Sequence, residues 1–344
     1  MNIDRQTYRI QFIILIFLLL VFSGINLSLG SVQIPFKEII HTLFGGSPLK
    51  TSWETIIINY RLPKTITAIL VGSGLSISGL LMQTLFRNPL AGPFVLGISS
   101  GASLGVAVFL LGSGFFGSFF TITSFYNIGL SIASSIGSFL VLLAIIIAAN
   151  KVRNTMSILI IGLMFGSLAS AIISILSFFS EADQIQQYVF WNFGSLGNLT
   201  WNELSILGIV FIITLICLLL TIKPLNSFLL GENYAKSLGI NTKKSRNIIL
   251  IITSILTGII TSFAGPIAFI GLSVPHITKL VFRTSNHKIL LPAVAMIGAI
   301  ILLLCDTVAQ IPNNEFTLPI NAITSLFGAP VVIWLLIRKK KIYV

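Results

Sequence analysis

Side chains that could carry out catalysis are few and scattered in this sequence. Its three histidines, His41, His276 and His287, have no second histidine or cysteine at ligand spacing, so no metal site is predicted. Cys217 and Cys305 lie inside apolar runs and are expected to be buried free thiols. No Gly-x-x-x-x-Gly-Lys-Ser/Thr loop is present to hold a nucleotide phosphate. The chain is therefore interpreted as a non-enzyme, with no catalytic residues and no cofactor.

The composition excludes a soluble domain. Of 344 residues, 55% are hydrophobic and 9% are charged, whereas soluble domains carry about 25% charged residues. The formal charge of +12 does not indicate a nucleic-acid partner, because the apolar runs need lipid and leave little surface for a phosphate-binding patch. We predict an all-α polytopic membrane protein that forms a single transmembrane domain over residues 1–344.

Ten segments are apolar and long enough to be interpreted as membrane spans, which need about 20 residues. They are 11–29, 65–85, 94–112, 127–149, 157–179, 204–222, 247–263, 267–282, 289–307 and 320–337. The third and the eighth are short and are interrupted by glycine and proline. Small residues about four positions apart in the second, at Gly72, Gly74 and Gly79, favour close helix packing.

Lysine and arginine determine the predicted orientation. With both termini in the cytoplasm, 17 of the 21 basic residues are cytoplasmic, and only Lys37, Lys50, Arg61 and Lys64 lie outside. Seven of the nine acidic residues then lie outside. An odd number of spans would destroy this separation, so the charges support ten spans.

Two loops are long enough to fold. Residues 30–60, outside, have apolar residues at helical spacing and are expected to form a short amphipathic helix on the outer surface. Residues 223–246, inside, are expected to form helical stretches separated by Gly231 and Gly239. This inner loop is either a docking surface for a cytoplasmic partner or a basic loop held by anionic lipid.

The two broken spans share a short motif. Ala91-Gly92-Pro93 precedes Gly97 and Ser99 in one, and Ala264-Gly265-Pro266 precedes Gly271 and Ser273 in the other. Each motif opens its span, and by the predicted orientation the first lies at the inner face and the second at the outer face, as an inverted-topology repeat would give. A gradient-driven secondary transporter is therefore an open alternative, although no span has an acid at its middle, where such transporters usually hold one. A membrane-embedded lipid enzyme would need clustered polar side chains at one depth, which the sequence lacks.

Motifs in a fixed order cover almost the whole chain. They lie at 61–65, 85–91, 97–102, 230–239, 269–276, 290–292, 318–319 and 328–330. The longest reads Phe269-Ile270-Gly271-Leu272-Ser273-Val274-Pro275-His276. As an ordered set, these motifs resemble the iron-siderophore, haem and vitamin B12 permease family (FecCD type), the membrane subunits of type II ABC importers.

The resemblance implies the ten-helix type II ABC importer permease fold in a bacterial plasma (inner) membrane. Two copies, or one copy and a paralogue, would form the translocation path at their interface. A cytoplasmic ABC ATPase dimer would drive transport, and an extracytoplasmic substrate-binding protein would deliver an iron-siderophore, haem or cobalamin ligand.

The resemblance also assigns residues to contacts with these partners. Arg61 and Lys64 match positions that dock the binding protein. Lys64 replaces a common arginine, and Gln310 stands where some members have a basic residue. The ATPase coupling positions are Gly231, Glu232, Ala235, Leu238 and Gly239.

Further family positions concern the path itself. The cytoplasmic gate would consist of Asn88, Leu90, Thr155 and Met156. The spans that line the path in the family give three pathway candidates here, Phe165, Ser167 and Asn321.

Overall fold

The computed structural model describes residues 2–30, 32–46, 48–112, 126–152, 155–310 and 317–337, and their regular structure is helical. The helices are α1 (Asn2–Ser28), α2 (Phe36–Leu43), α3 (Thr51–Ile56), α4 (Leu62–Phe86), α5 (Ile98–Leu111), α6 (Tyr126–Lys151), α7 (Thr155–Phe178), α8 (Ala182–Asn192), α9 (Trp201–Leu219), α10 (Ile222–Phe228), α11 (Glu232–Ser237), α12 (Thr242–Ala264), α13 (Ile270–Phe282), α14 (His287–Ala309) and α15 (Ile320–Ile337).

The ten predicted spans coincide with helices. Seven described helical segments are long and apolar enough to cross a membrane, and α5, α13 and α15 are shorter apolar helices. The third and eighth spans are short as predicted, with 14 residues in α5 and 13 in α13. The all-α polytopic fold is confirmed.

The second span is longer than its apolar run predicts. Helix α3 continues through a π-helical turn at Ile57–Arg61 into α4, giving 36 continuous residues. Pro63 has no N–H to donate, so Asn59 loses its usual helical partner, and the wider π turn lies directly before it. The polar residues and the proline are typical of a helix start, which is why the second span was expected to begin only at residue 65. Segment 30–60 also contains the short helix α2.

The helix ends define two faces, each named here for one residue. Lys64 lies near the start of α4 and Arg87 directly follows its end, about 35 Å away at 1.5 Å per helical residue. Asn26, near the end of α1, and Asp306, near the end of α14, meet at the Lys64 face. The start of α14 lies at the Arg87 face, where His287 bonds Thr84.

The spans differ in how much of their surface the chain itself covers. Most of α4, α12 and α14 is buried inside the protein, whereas α7 and α9 are largely exposed. Close backbone packing holds α4, as the glycine spacing predicted: a Cβ on Gly79 would lie 1.6 Å from the carbonyl oxygen of Gly271.

Cys305 is buried, but the prediction was wrong for Cys217, which is exposed on α9. An apolar run in a membrane protein can face outward as well as inward.

The two interrupted spans meet inside the bundle. Gly97 and Gly265 have φ values of +73° and +74°, which suit glycine at a chain break before a helix. Gly271 packs against Pro93, so the two breaks touch beside α4. Helix α13 ends at the Arg87 face, and α5 ends beside Ser180, just before α8. Irregular backbone at this depth is thus enclosed by protein.

Candidate docking faces and transport pathway

A buried polar cluster joins three spans at the Lys64 face. The Lys64 ammonium lies 3.1 Å from Asp306, which is only 3% exposed. Asn26 and Gln310 donate to the second oxygen of the same carboxylate at 2.8 and 2.6 Å. Thr65 donates to the side-chain oxygen of Asn26. Both carboxylate oxygens of Asp306 are therefore engaged, and α1, α4 and α14 are tied together.

Arg61 points into the protein from the same face. Its guanidinium donates to the carbonyls of Leu27 at 2.7 Å, Ser28 at 2.9 Å and Val32, and the side chain is buried. These carbonyls include unpaired acceptors at the C-terminal end of α1. Arg61 thus fixes the chain that leaves the first span. Any effect of Arg61 on a docked partner would act through the surface that it holds in place.

The five predicted coupling positions lie in one folded segment at the Arg87 face, residues 230–239, which is called the coupling segment below. Gly231 and Gly239 have φ values of +112° and +78° and bracket the short helix α11. Ala235 is fully buried, whereas Leu238 and Gly239 are exposed. Glu232 accepts from Thr242 at 3.2 Å and pairs with Lys236 at 3.1 Å. The segment is therefore folded and attached to the start of α12.

Apolar side chains project from this unit into solvent. Leu230, Tyr234 and Leu238, four residues apart, are 64%, 48% and 56% exposed. Three large apolar groups on a polar loop outside the spans form a surface suited to a protein partner. Sequence reasoning named Leu238 but missed Leu230 and Tyr234, although their helical spacing was readable.

The predicted gate positions lie on two separate segments at this face. Asn88 caps its own turn by accepting from the Leu90 N–H at 2.9 Å, and Leu90 is exposed. His276 bonds the Pro89 carbonyl at 2.7 Å and so anchors this turn to α13. Met156 is exposed near the start of α7. Thr155 is the first residue of α7, and its side chain lies outside the described part of the structure.

The pathway candidates have different environments. Ser167 is exposed on α7 and bonds the Leu163 carbonyl within its own helix. Phe165 is half-buried and packs beside Gly97. The side-chain oxygen of Asn321 accepts from the Ala268 N–H at 3.0 Å, so this residue links α15 to the break before α13.

The exposed face of α7 has a polar stripe. Ser170 and Ser174 continue from Ser167 on the same helix, and each donates to a carbonyl four residues earlier. Internal hydrogen bonding lets a serine face an apolar surface at low cost while it remains able to bond a polar ligand. Neither serine was singled out from the sequence, where four-residue spacing was the available signal.

A bundle of ten spans, with an interrupted pair inside and a folded segment at one face, is an architecture typical of transport permeases. Among the described residues, no group of three or more His, Cys, Asp or Glu side chains is placed to hold a metal ion.

Comparison with known proteins identifies the kind of permease. The FecCD transport family matches residues 15–338. The vitamin B12 import system permease protein BtuC of Salmonella typhi is 36% identical over 297 residues, which are 86% of this chain and 88% of BtuC. BtuC of Salmonella newport (strain SL254) is equally similar. This chain therefore belongs to the FecCD transport family.

Solved structures agree with this assignment. A metal-chelate type ABC transporter in an inward-facing conformation has a TM-score of 0.81 and 28% identity, covering 94% of this chain and 97% of the other. PsaBC from Streptococcus pneumoniae in complex with Fab has a TM-score of 0.52 at 17% identity, covering 90% of this chain and 98% of the other, and shares the fold. The protein is a permease subunit of an ABC importer.

Proposed function

We propose that this permease imports a bulky metal chelate (an iron-siderophore, haem or cobalamin) across a bacterial inner membrane. Two similar proteins support this proposal. BtuC is a permease for vitamin B12 import, and the similar solved structure is a metal-chelate type ABC transporter. The Arg87 face is cytoplasmic in this proposal, because it contains the segments that are rich in lysine and arginine. Both termini are then cytoplasmic.

The observation that carries the proposal is the folded coupling segment. Leu230, Tyr234 and Leu238 offer apolar contacts to a cytoplasmic ATPase dimer, and Gly231 and Gly239 provide turns that other residues adopt at a cost. Glu232 and Ala235 fix this segment on the rest of the protein. Movement of the ATPase subunits would therefore be transmitted as movement of a rigid unit.

The gate lies where such movement would reach it. Met156 and Glu232 line one cavity at the Arg87 face, together with Arg87, the neighbour of Asn88. Displacement of the coupling segment would alter this cavity and shift Leu90 and Met156 relative to each other. Alternating access then follows from ATP-driven closure, release of the chelate into the path, and hydrolysis that resets the permease.

A second permease copy, or a paralogue, would complete the path. Helix α7 is the surface that fits this role, since its serine stripe and large exposed area have no cover within the described part of the chain. A substrate-binding protein would dock at the Lys64 face, through Lys64 and the loops held by Arg61. Bulky ligands would pass between the two copies without a tight site in either.

A gradient-driven transporter is the alternative, and one observation disfavours it. Asp306, the carboxylate near the end of α14, is already paired with Lys64 and bonded by Asn26 and Gln310. It is thus poorly placed to exchange a coupling proton or sodium ion. Uptake into cells treated with a protonophore but supplied with ATP should continue. Uptake that stops with the gradient and survives ATP depletion would support the alternative.

Purification of the tagged permease from native membranes in mild detergent tests the assembly. An ATPase should be recovered at one subunit per permease, as measured by mass spectrometry. Any recovered binding protein can be titrated with ferric siderophores, haem and cobalamin to identify the substrate. A permease recovered without an ATPase, under conditions that keep a known ABC complex intact, would contradict the proposal.

A further inference from the structure

A polar cavity at the Arg87 face lies between the coupling segment and the turn at 88–90, which is called the gate turn here. Its volume is about 220 Å³, whereas a single water needs about 10–15 Å³ by this measure. The lining residues are Leu85, Phe86, Arg87, Met156, Phe228, Glu232, Thr242 and Arg246. The cavity is therefore large enough for a small ligand and brings two arginines to its wall.

Arg246 is a buried cation with unused hydrogen-bonding capacity. Its side chain is only 9% exposed. Nη2 donates to the Ala149 carbonyl at 2.5 Å, but Nε is enclosed and has no partner among the described residues. A buried donor without a partner is costly, and a charged one more so. Arg246 lines the cavity, so an anion bound there would compensate its buried charge.

Arg87 contributes a second charge to the wall of this cavity. It ends α4 in the left-handed conformation, with φ of +48°. Its Nη1 lies 3.5 Å from the position that a Cβ would take on Gly231, so the guanidinium reaches the coupling segment. Thr242, the first residue of the 23-residue helix α12, also lines the cavity and adds the positive end of a helix dipole.

One carboxylate opposes this charge. Glu232 also lines the cavity, but its side chain is engaged by Thr242 and Lys236. Two guanidinium groups therefore face a carboxylate that already has partners. Arginine forks match the geometry of phosphate oxygens. Leu85, Phe86, Met156 and Phe228 make up the rest of the wall.

We propose that this cavity binds a phosphate group, contributed either by an anionic lipid headgroup or by free phosphate, which bridges Arg87 and Arg246. The bound group would connect the end of α4, the start of α12 and the coupling segment. It would therefore stabilise one arrangement of the gate turn relative to the ATPase docking unit. This inference does not depend on the transported substrate or on the presence of the ATPase.

Binding is measured on the purified permease alone, so its outcome is separate from the transport assignment. One arm titrates inorganic phosphate into the protein in neutral detergent and follows the phosphorus resonance. The other uses native mass spectrometry to detect phosphatidylglycerol retained from nanodiscs of phosphatidylcholine with and without that lipid. Saturable binding in the first arm identifies free phosphate, and selective retention in the second identifies a lipid headgroup.

Matched variants test the location. Arg87→Asn should weaken binding about tenfold, since a hydrogen bond to a charged group contributes about 1.5–3 kcal/mol and asparagine tolerates the left-handed conformation. Arg283→Asn is the control, because Arg283 also ends a helix with φ of +48° and does not line this cavity. Arg246→Lys keeps the charge but removes the fork, so binding should fall there too.

Three outcomes would overturn the proposal. Wild-type protein that binds neither phosphate nor phosphatidylglycerol excludes the site. Equal loss in Arg283→Asn and Arg87→Asn would mean that the general positive charge of this face is responsible. Unchanged binding in both Arg87→Asn and Arg246→Lys would place the ligand elsewhere.

Discussion

The two faces of this permease use polar residues in opposite ways. At the Lys64 face, Asp306 is fully engaged by Lys64, Asn26 and Gln310, and all three spans involved are held in register. At the Arg87 face, a buried arginine nitrogen lacks a partner among the described residues, a cavity separates the gate from the coupling segment, and large apolar side chains face solvent.

The difference separates a fixed end from a movable one. A fully satisfied buried network stabilises a single arrangement, because any displacement leaves a charge without a partner. A cavity and incompletely bonded groups allow alternative packings that differ little in free energy. We therefore expect conformational change to concentrate at the Arg87 face, while α1, α4 and α14 move together at the other end.

Removal of Asp306 should have the largest effect on stability. Asp306→Ala leaves Lys64 unpaired and removes the acceptor for Asn26 and Gln310, so we expect a loss of about 3 kcal/mol. The measurement is thermal unfolding of the detergent-solubilised protein. Glu232→Ala removes the exposed pair with Lys236 and one hydrogen bond from Thr242 at the other face, and should cost about 1 kcal/mol.

The double variant Lys64→Met with Asp306→Leu checks the cause. It removes both charges together, so much of the lost stability should return. Equal destabilisation by Asp306→Ala and Glu232→Ala would remove the distinction between a fixed and a movable face.

The same contrast explains what could be predicted from the sequence. Apolar runs of sufficient length identified all ten spans, because the bilayer demands them independently of packing. The short helices in residues 223–246 could be predicted for a similar local reason, because Gly231 and Gly239 mark the turns between them in the adjacent sequence. Neither prediction required knowledge of distant contacts.

Contacts between residues far apart in the chain could not be predicted from the sequence. Asn26 and Asp306 are 280 positions apart, and nothing in either run shows that they meet. The family resemblance assigned Arg61 to docking of the binding protein, yet its guanidinium bonds the end of α1. The sequence also does not show which side of an apolar helix is buried, because lipid and protein interior both favour apolar side chains. Cys217 is an example.

Substitution of Gly239 should affect function more than stability. Its φ of +78° disfavours a β-branched residue, although a Cβ added at this position would meet no atom within 4 Å. Gly239→Val should lower uptake about tenfold while ATP hydrolysis continues. Backbone strain of about 1–2 kcal/mol would misalign the coupling segment with the ATPase. Uptake and hydrolysis are measured in proteoliposomes containing the whole importer.

Gly208→Val is the matched control for this substitution. Gly208 also has open space around it but lies within α9 without a positive φ. Wild-type uptake by the Gly239 variant would refute the coupling role, and equal loss in both variants would attribute the effect to valine alone.

Loss of one apolar contact at the movable face should have a smaller effect. Leu238→Ser removes a side chain that is 56% exposed, and we expect the ATPase to dissociate about fivefold more readily, which corresponds to about 1 kcal/mol. Surface binding of the ATPase to immobilised permease measures this. Leu49→Ser, an exposed leucine toward the Lys64 face, should leave ATPase binding unchanged; similar losses in both would argue against a defined docking surface.

The smallest predicted effect concerns docking at the fixed face. Lys64 is 20% exposed and already neutralised by Asp306, so it can add little to the binding of a substrate-binding protein. In the double variant Lys64→Met with Asp306→Leu, the fold is retained and affinity should fall by only about two- to fivefold, or less than about 1 kcal/mol. The loss should shrink at high salt, because partly exposed charges are screened. Lys288→Met, at the opposite face, is the control. Unchanged affinity at low salt would exclude Lys64 from the docking site, whereas a much larger loss would mean that Lys64 leaves Asp306 when the partner binds and that this face also rearranges.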